Sequence, residues 1–125
     1  VNDFEAQWDR CADWLQAALN AGQELLTLDD VKQRVCSGQY QFWPAQDSAA
    51  ITQVIDGHEL NIPLAGGKME TLRDAISVIE EFGVRMGCSK MTVVGRLGWA
   101  RSFLTKEAGF EPVAMVFCKR IGGAA

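Results

Sequence analysis

The side chains able to do chemistry are few: one histidine (His58), one tyrosine (Tyr40), four cysteines (Cys11, Cys36, Cys88 and Cys118) and two adjacent carboxylate pairs, Asp29-Asp30 and Glu80-Glu81. The cysteines stand far apart with no C-x-x-C pair, so neither a zinc knuckle nor a thioredoxin-like redox site is written here. Each sits among apolar residues, which predicts free, buried thiols in a reducing compartment. Any Cys–His or Ser–His dyad must use His58. That residue follows Asp56-Gly57, a strong two-residue hairpin signal, and reads as a polar strand start. A general base also needs an orienting partner, and none is evident for His58. The carboxylate pairs read as solvated helix residues. The sequence therefore offers no catalytic and no metal-ligating set. One stretch remains, Gly66, Gly67 and Lys68, and its glycines read as a sharp strand-to-helix turn.

The elements that position these residues follow from periodicity. Phe4, Trp8, Cys11, Leu15 and Leu19 recur at helical spacing and predict a helix from Asp3 to Ala21 with one apolar face. Asn2 or Asp3 suits its start and Gly22 its end. A shorter helix should follow Thr27, whose hydroxyl can accept from the N–H near Asp30, with Leu28, Val31 and Val35 inward and an end by Gly38. Beyond Gly38, β-favouring residues come in runs separated by Pro44, Asp47-Ser48 and Asp56-Gly57. They predict an antiparallel meander of strands at about 39–45, 49–55 and 58–65. Ala65-Gly66-Gly67 is expected to break the third strand. Met69, Leu72, Ile76, Ile79 and Phe82 then restore the helical period, Gly87 ends it, and Lys90–Val94 is a compact strand. This makes a βαβ unit with parallel strands. A helix at about 97–108, ending at Gly109, and a strand at 113–118 should complete the chain.

The expected architecture is thus α/β, a mixed sheet in the order ααβββαβαβ, in one domain of 125 residues. It divides into a helical pair (1–38), a meander (39–65), a crossover (66–95), a last helix and strand (96–121) and a tail (122–125). A chain of this length, 48% hydrophobic and 22% charged, can bury one core and remain soluble. Its net charge of −4 opposes a phosphate backbone, which argues against nucleic acid as the primary partner. No apolar run approaches the roughly 20 residues of a membrane-spanning helix, and the polar start VNDFEAQWDR is unlike a signal peptide. The initial Val1 fits either a processed or truncated start or a bacterial-type GTG start codon.

This order of elements, with Leu104-Thr105-Lys106-Glu107-Ala108-Gly109-Phe110 ahead of a strand, resembles the Gcn5-related N-acetyltransferase fold over nearly the whole chain. A first strand before the first helix and a clear seventh strand after Ile121 are missing. The resemblance implies acetyl-coenzyme A as cofactor, its pyrophosphate held at the turn leaving the third meander strand, hence at Gly66, Gly67 and Lys68. Family members usually read Gln or Arg, two residues, Gly, one residue, Gly or Ala at that turn. Here Ala65-Gly66-Gly67-Lys68-Met69-Glu70-Thr71-Leu72-Arg73 has a different spacing. Glu70 in the first helical turn suits the helix dipole but opposes a pyrophosphate. Where such enzymes often place a tyrosine to protonate the leaving thiolate, this chain has Thr105, and Tyr40 belongs to a distant strand.

A closer resemblance is to small proteins of tailed bacteriophages, carried by Gly38-Gln39-Tyr40-Gln41-Phe42-Trp43-Pro44 and Gly95-Arg96-Leu97-Gly98-Trp99-Ala100-Arg101. It implies a virion or head-to-tail component without a cofactor, located in the virion or the host cytoplasm, whose partners are other virion proteins, within an oligomeric assembly. Arg96 should turn out beside the start of the last helix, where it meets a carboxylate of its own domain or a carboxylate or phosphate of a partner. Trp99 and Arg101 flank it. Trp14 falls at the margin of the first helix's apolar stripe, a place suited to contact with another chain. These four are the candidate interface residues. The alternative reading is an acyl-coenzyme A-dependent N-acetyltransferase with an atypical pyrophosphate turn.

Overall fold

The apolar stripe of the first segment becomes the buried face of α1, Asp3–Ala21: Trp8, Cys11, Leu15 and Leu19 are buried, and the half-buried Phe4 packs beside them. The structure, a computed structural model, describes residues 3–21, 26–93, 109–111 and 119. Helix α2, Leu28–Cys36, starts where its cap demands. Thr27 Oγ1 accepts from the Asp30 N–H at 3.1 Å, and Asp30 Oδ2 accepts from the Thr27 N–H at 3.0 Å. This reciprocal box satisfies two amides that the helix cannot. The Thr27 backbone N–H, and then its hydroxyl, hold the Asp30 carboxyl below its ordinary 3.8.

The strands are β1 (Gln41–Pro44), β2 (Ser48–Ile55), β3 (Glu59–Gly67) and, after helix α3 (Met69–Arg85), β4 (Lys90–Val93). They form one sheet in the order β1-β2-β3-β4, antiparallel up to β3 and parallel between β3 and β4. The parallel pair is what requires the α3 crossover. The β2–β3 hairpin turns on Asp56 (φ 53°) and Gly57 (φ 75°), the left-handed pair that matches strand twist. His58 N–H closes it on the Ile55 carbonyl at 3.1 Å.

Strand β3 carries one residue more than its partner: Ile51 pairs with Leu64, yet Gln53 pairs with Asn61. This bulge, at Ile62-Pro63 opposite Thr52, reverses which side chains face which layer. Before it, Leu60 and Ile62 pack with Leu72, Ile76 and Ile79 on the α3 side. After it, Leu64 joins Leu15, Val31 and Ile51 on the α1 side. The sheet is thereby covered on both faces, α1 with α2 on one and α3 on the other.

The expected strand limits shift in places. Gly66 and Gly67 do not break β3; they are its last two residues, paired with Ala49 and Ser48, so the boundary placed at 66 moves to 68. Tyr40 lies just before β1 and is buried, its Oη accepting from Arg34 Nη1 at 3.0 Å. Of the thiols expected to be buried, Cys11 is, Cys88 is partly so and Cys36 is exposed. Cys36 is the last residue of α2, beside Val35, which takes the half-buried place against the α1-side cluster. Cys118, the helix expected at 97–108 and the strand expected at 113–118 lie outside the described residues. Gly109 has φ 79°, and Phe110 packs against the α3-side cluster. Among the described residues, no helix is long and apolar enough to cross a membrane.

Candidate functional site

The bend between β3 and α3 brings together Gly66, Gly67 and Lys68, as the sequence places them. What they face is other protein backbone. A Cβ on Gly66 would run into the carbonyl of Trp14 on α1, and one on Gly67 into the carbonyl of Asp47 and the Cα of Ser48. Gly67 also has φ 107°, a conformation that side chains with a Cβ rarely adopt. The Lys68 N–H donates to the Asp47 carbonyl at 2.8 Å, extending the β2–β3 ladder by one bond. One turn into α3, Thr71 Oγ1 donates to Ser48 Oγ at 2.6 Å. The glycines are thus required by close packing of three chain segments.

The charges at the bend point the same way. Lys68 Nζ lies 4.0 Å from Asp47 Oδ2, both largely in solvent, a pair of little energetic weight. It nonetheless places a carboxylate beside the only lysine of the bend, and Glu70 adds a second in the first turn of α3. Lys68 caps that helix without a side-chain hydrogen bond. A diphosphate needs several converging amides and a net positive surround. Here the Lys68 amide is spent on Asp47, the space over the glycines is filled by Trp14 and Asp47-Ser48, and two carboxylates stand nearby. The residues present at this bend do not fit the pyrophosphate of acyl-coenzyme A.

No protein-family model matches the sequence, and no curated protein matches it. Among solved structures the chain is similar to an aminoglycoside N-acetyltransferase in complex with CoA, at 16% identity and a TM-score of 0.44. The match covers 60% of this chain and 59% of that one. So distant a likeness leaves the chemistry to be read from this chain's own residues.

Of the interface candidates, Trp14 is half-buried against the α1-side core, with the Arg10 guanidinium 5.6 Å over its ring. Arg96, Trp99 and Arg101 lie outside the described residues, as does Thr105. His58 contributes backbone: its carbonyl accepts from the Ser89 N–H at 2.9 Å, while the exposed imidazole has no hydrogen-bond partner among the described residues. Asp29-Asp30 and Glu80-Glu81 are exposed, as expected. Among the described residues no three His, Cys, Asp or Glu side chains cluster as a metal ion requires.

One polar array escaped the sequence reading. On the α1 side of the sheet Gln53 Nε2 donates to Asn61 Oδ1 (3.1 Å), Asn61 Nδ2 to Thr92 Oγ1 (2.8 Å) and Thr92 Oγ1 to Glu59 Oε2 (2.7 Å). Lys90 Nζ sits 3.7 Å from Glu59 Oε1. Every donor points toward the one carboxylate, an arrangement in which successive bonds polarise each other. Glu59 is already satisfied by Thr92 and Lys90. The array therefore fixes the β2–β3–β4 register. Its signal in the sequence was the polar residue at every second position, Glu59 and Asn61, then Lys90 and Thr92.

Proposed function

We propose that this chain is a non-catalytic acetyltransferase-like domain that acts through protein contacts, as a virion-associated or head-to-tail component of a tailed bacteriophage. The observation that carries the non-catalytic part is the filled bend: Gly66 packs on the Trp14 carbonyl, Gly67 on Asp47-Ser48, and Lys68 spends its amide on Asp47. The crossover that joins β3 to β4 through α3 supports the acetyltransferase-like part. Support for the phage assignment is the likeness of the Gly38–Pro44 and Gly95–Arg101 stretches to small phage proteins.

Titration calorimetry with acetyl-coenzyme A tests the first part. No heat of binding is expected. Micromolar binding that is lost in Lys68→Glu would overturn this part in favour of the alternative, an acyl-coenzyme A-dependent N-acetyltransferase with an atypical turn, which turnover of the bound acetyl-coenzyme A would then have to show. Mass spectrometry of purified phage particles tests the second part: the chain is expected in the particle, and its absence would remove the virion role.

A further inference from the structure

The turn that fills the bend is an unusual one to find unsupported. It joins β1 to β2 through Gln46-Asp47, with the Ala45 N–H donating to the Ser48 carbonyl at 2.8 Å. Two-residue hairpin loops favour turns with positive φ at one or both central residues. Among the described non-glycine residues only Asp56, in the other hairpin, has positive φ. The Ala45–Ser48 turn closes without positive φ, and something outside it supplies donors to its carbonyls.

Arg10 does. From the outer side of α1 its Nη2 donates to the Ala45 carbonyl and its Nη1 to the Gln46 carbonyl, both at 2.8 Å. Gln7 Oε1 steadies the same guanidinium by accepting from Nε at 3.0 Å and from Nη2 at 2.7 Å, and the Trp14 ring lies under it. A planar, rigid donor fork suits two successive carbonyls, which a lysine ammonium cannot match. The next residue along, Asp47, is the one whose carbonyl takes the Lys68 amide.

We infer that Arg10 is the latch of the β3–α3 bend: by gripping the Ala45 and Gln46 carbonyls it holds Asp47 on Lys68 and keeps the bend closed. This rests on the reading of the bend as filled, and it is tested without any coenzyme so that the two can fail separately. The measurement is amide hydrogen exchange of the full chain, native against Arg10→Ala and Arg10→Lys. Lys68 is expected to exchange about tenfold or more faster in both variants, while Leu60, Val54 and the middle of α3 keep their native rates, as local opening requires. Gln7→Ala, which leaves the fork but removes its brace, should fall between. An unchanged Lys68 rate in Arg10→Ala overturns the latch, and so does a parallel acceleration of Lys68 and the β2–β3 ladder, which would make Arg10 a general stabiliser.

Discussion

At the level of single residues, the two glycines of the bend make opposite demands from those of a ligand loop. If their role is to let backbones approach, adding one methyl group is costly even with no ligand present. Gly66→Ala drives a Cβ into the Trp14 carbonyl, a backbone group that cannot swing aside, and about 1–3 kcal/mol of stability should be lost as in other overpacked sites. Gly67→Ala should cost more, since it meets Asp47 and Ser48 backbone and keeps φ 107°. Denaturant melts of the two variants check both. Thiol reactivity offers a second test at this scale. Of the three described thiols the exposed Cys36 should alkylate first, Cys88 later, and Cys11 only on unfolding, because burial both blocks it and raises its pKa above 9.0.

At the level of elements, helix α2 is where local chemistry was most legible. Thr27 followed three residues later by Asp30 marks the start of α2, and the Thr27 side chain does cap it. Thr27→Ala should cost about 0.5–2 kcal/mol. The pH dependence has a definite sign. Asp30 titrates lower in the folded chain than its ordinary 3.8, so its contribution is complete above that value and is lost as the pH falls through the folded pKa. Acid melts of the native chain should show this step and those of Thr27→Ala should show less of it. The meander and the crossover were legible for a related reason: period and turn chemistry are local properties. The β3 bulge was not, because Leu60, Ile62 and Leu64 alternate as a regular strand would, and only pairing with β2 reveals the extra residue. The bend was misread in part for the same cause. A Gly-Gly pair looks alike whether it ends a strand, turns the chain or admits a ligand, and the distinction lies in Trp14 and Asp47, distant in sequence from it.

At the scale of the whole molecule, the sheet separates two apolar clusters that, among the described residues, share no buried side chain: Trp8, Cys11, Leu15, Val31 and Ile51 toward α1, and Leu60, Ile62, Leu72, Ile76 and Ile79 toward α3. Two cores do not imply two folding units. Strand β2 gives Ile51 to one cluster and Ala50 to the other, and β3 gives Leu64 to one and Ala65 to the other, so neither layer can lose its partner strands without exposing the second. Unfolding should then be a single transition seen alike by far-UV dichroism and by tryptophan fluorescence, to which Trp8 and Trp14 contribute from one side of the sheet, Trp43 from the other and Trp99 from outside the described residues. The fully buried Ile51 and Ile79 make the test quantitative. Ile51→Val and Ile79→Val should each cost about 0.5–1.5 kcal/mol. Being on opposite faces with no shared contact, they should add to within about 0.5 kcal/mol in the double variant. A transition that splits in Ile79→Val, with the α1-side signal unchanged while the dichroism falls, would mean that α3 and its cluster melt from the sheet independently. The crossover would then be an appendage to the meander and not a layer of the same fold.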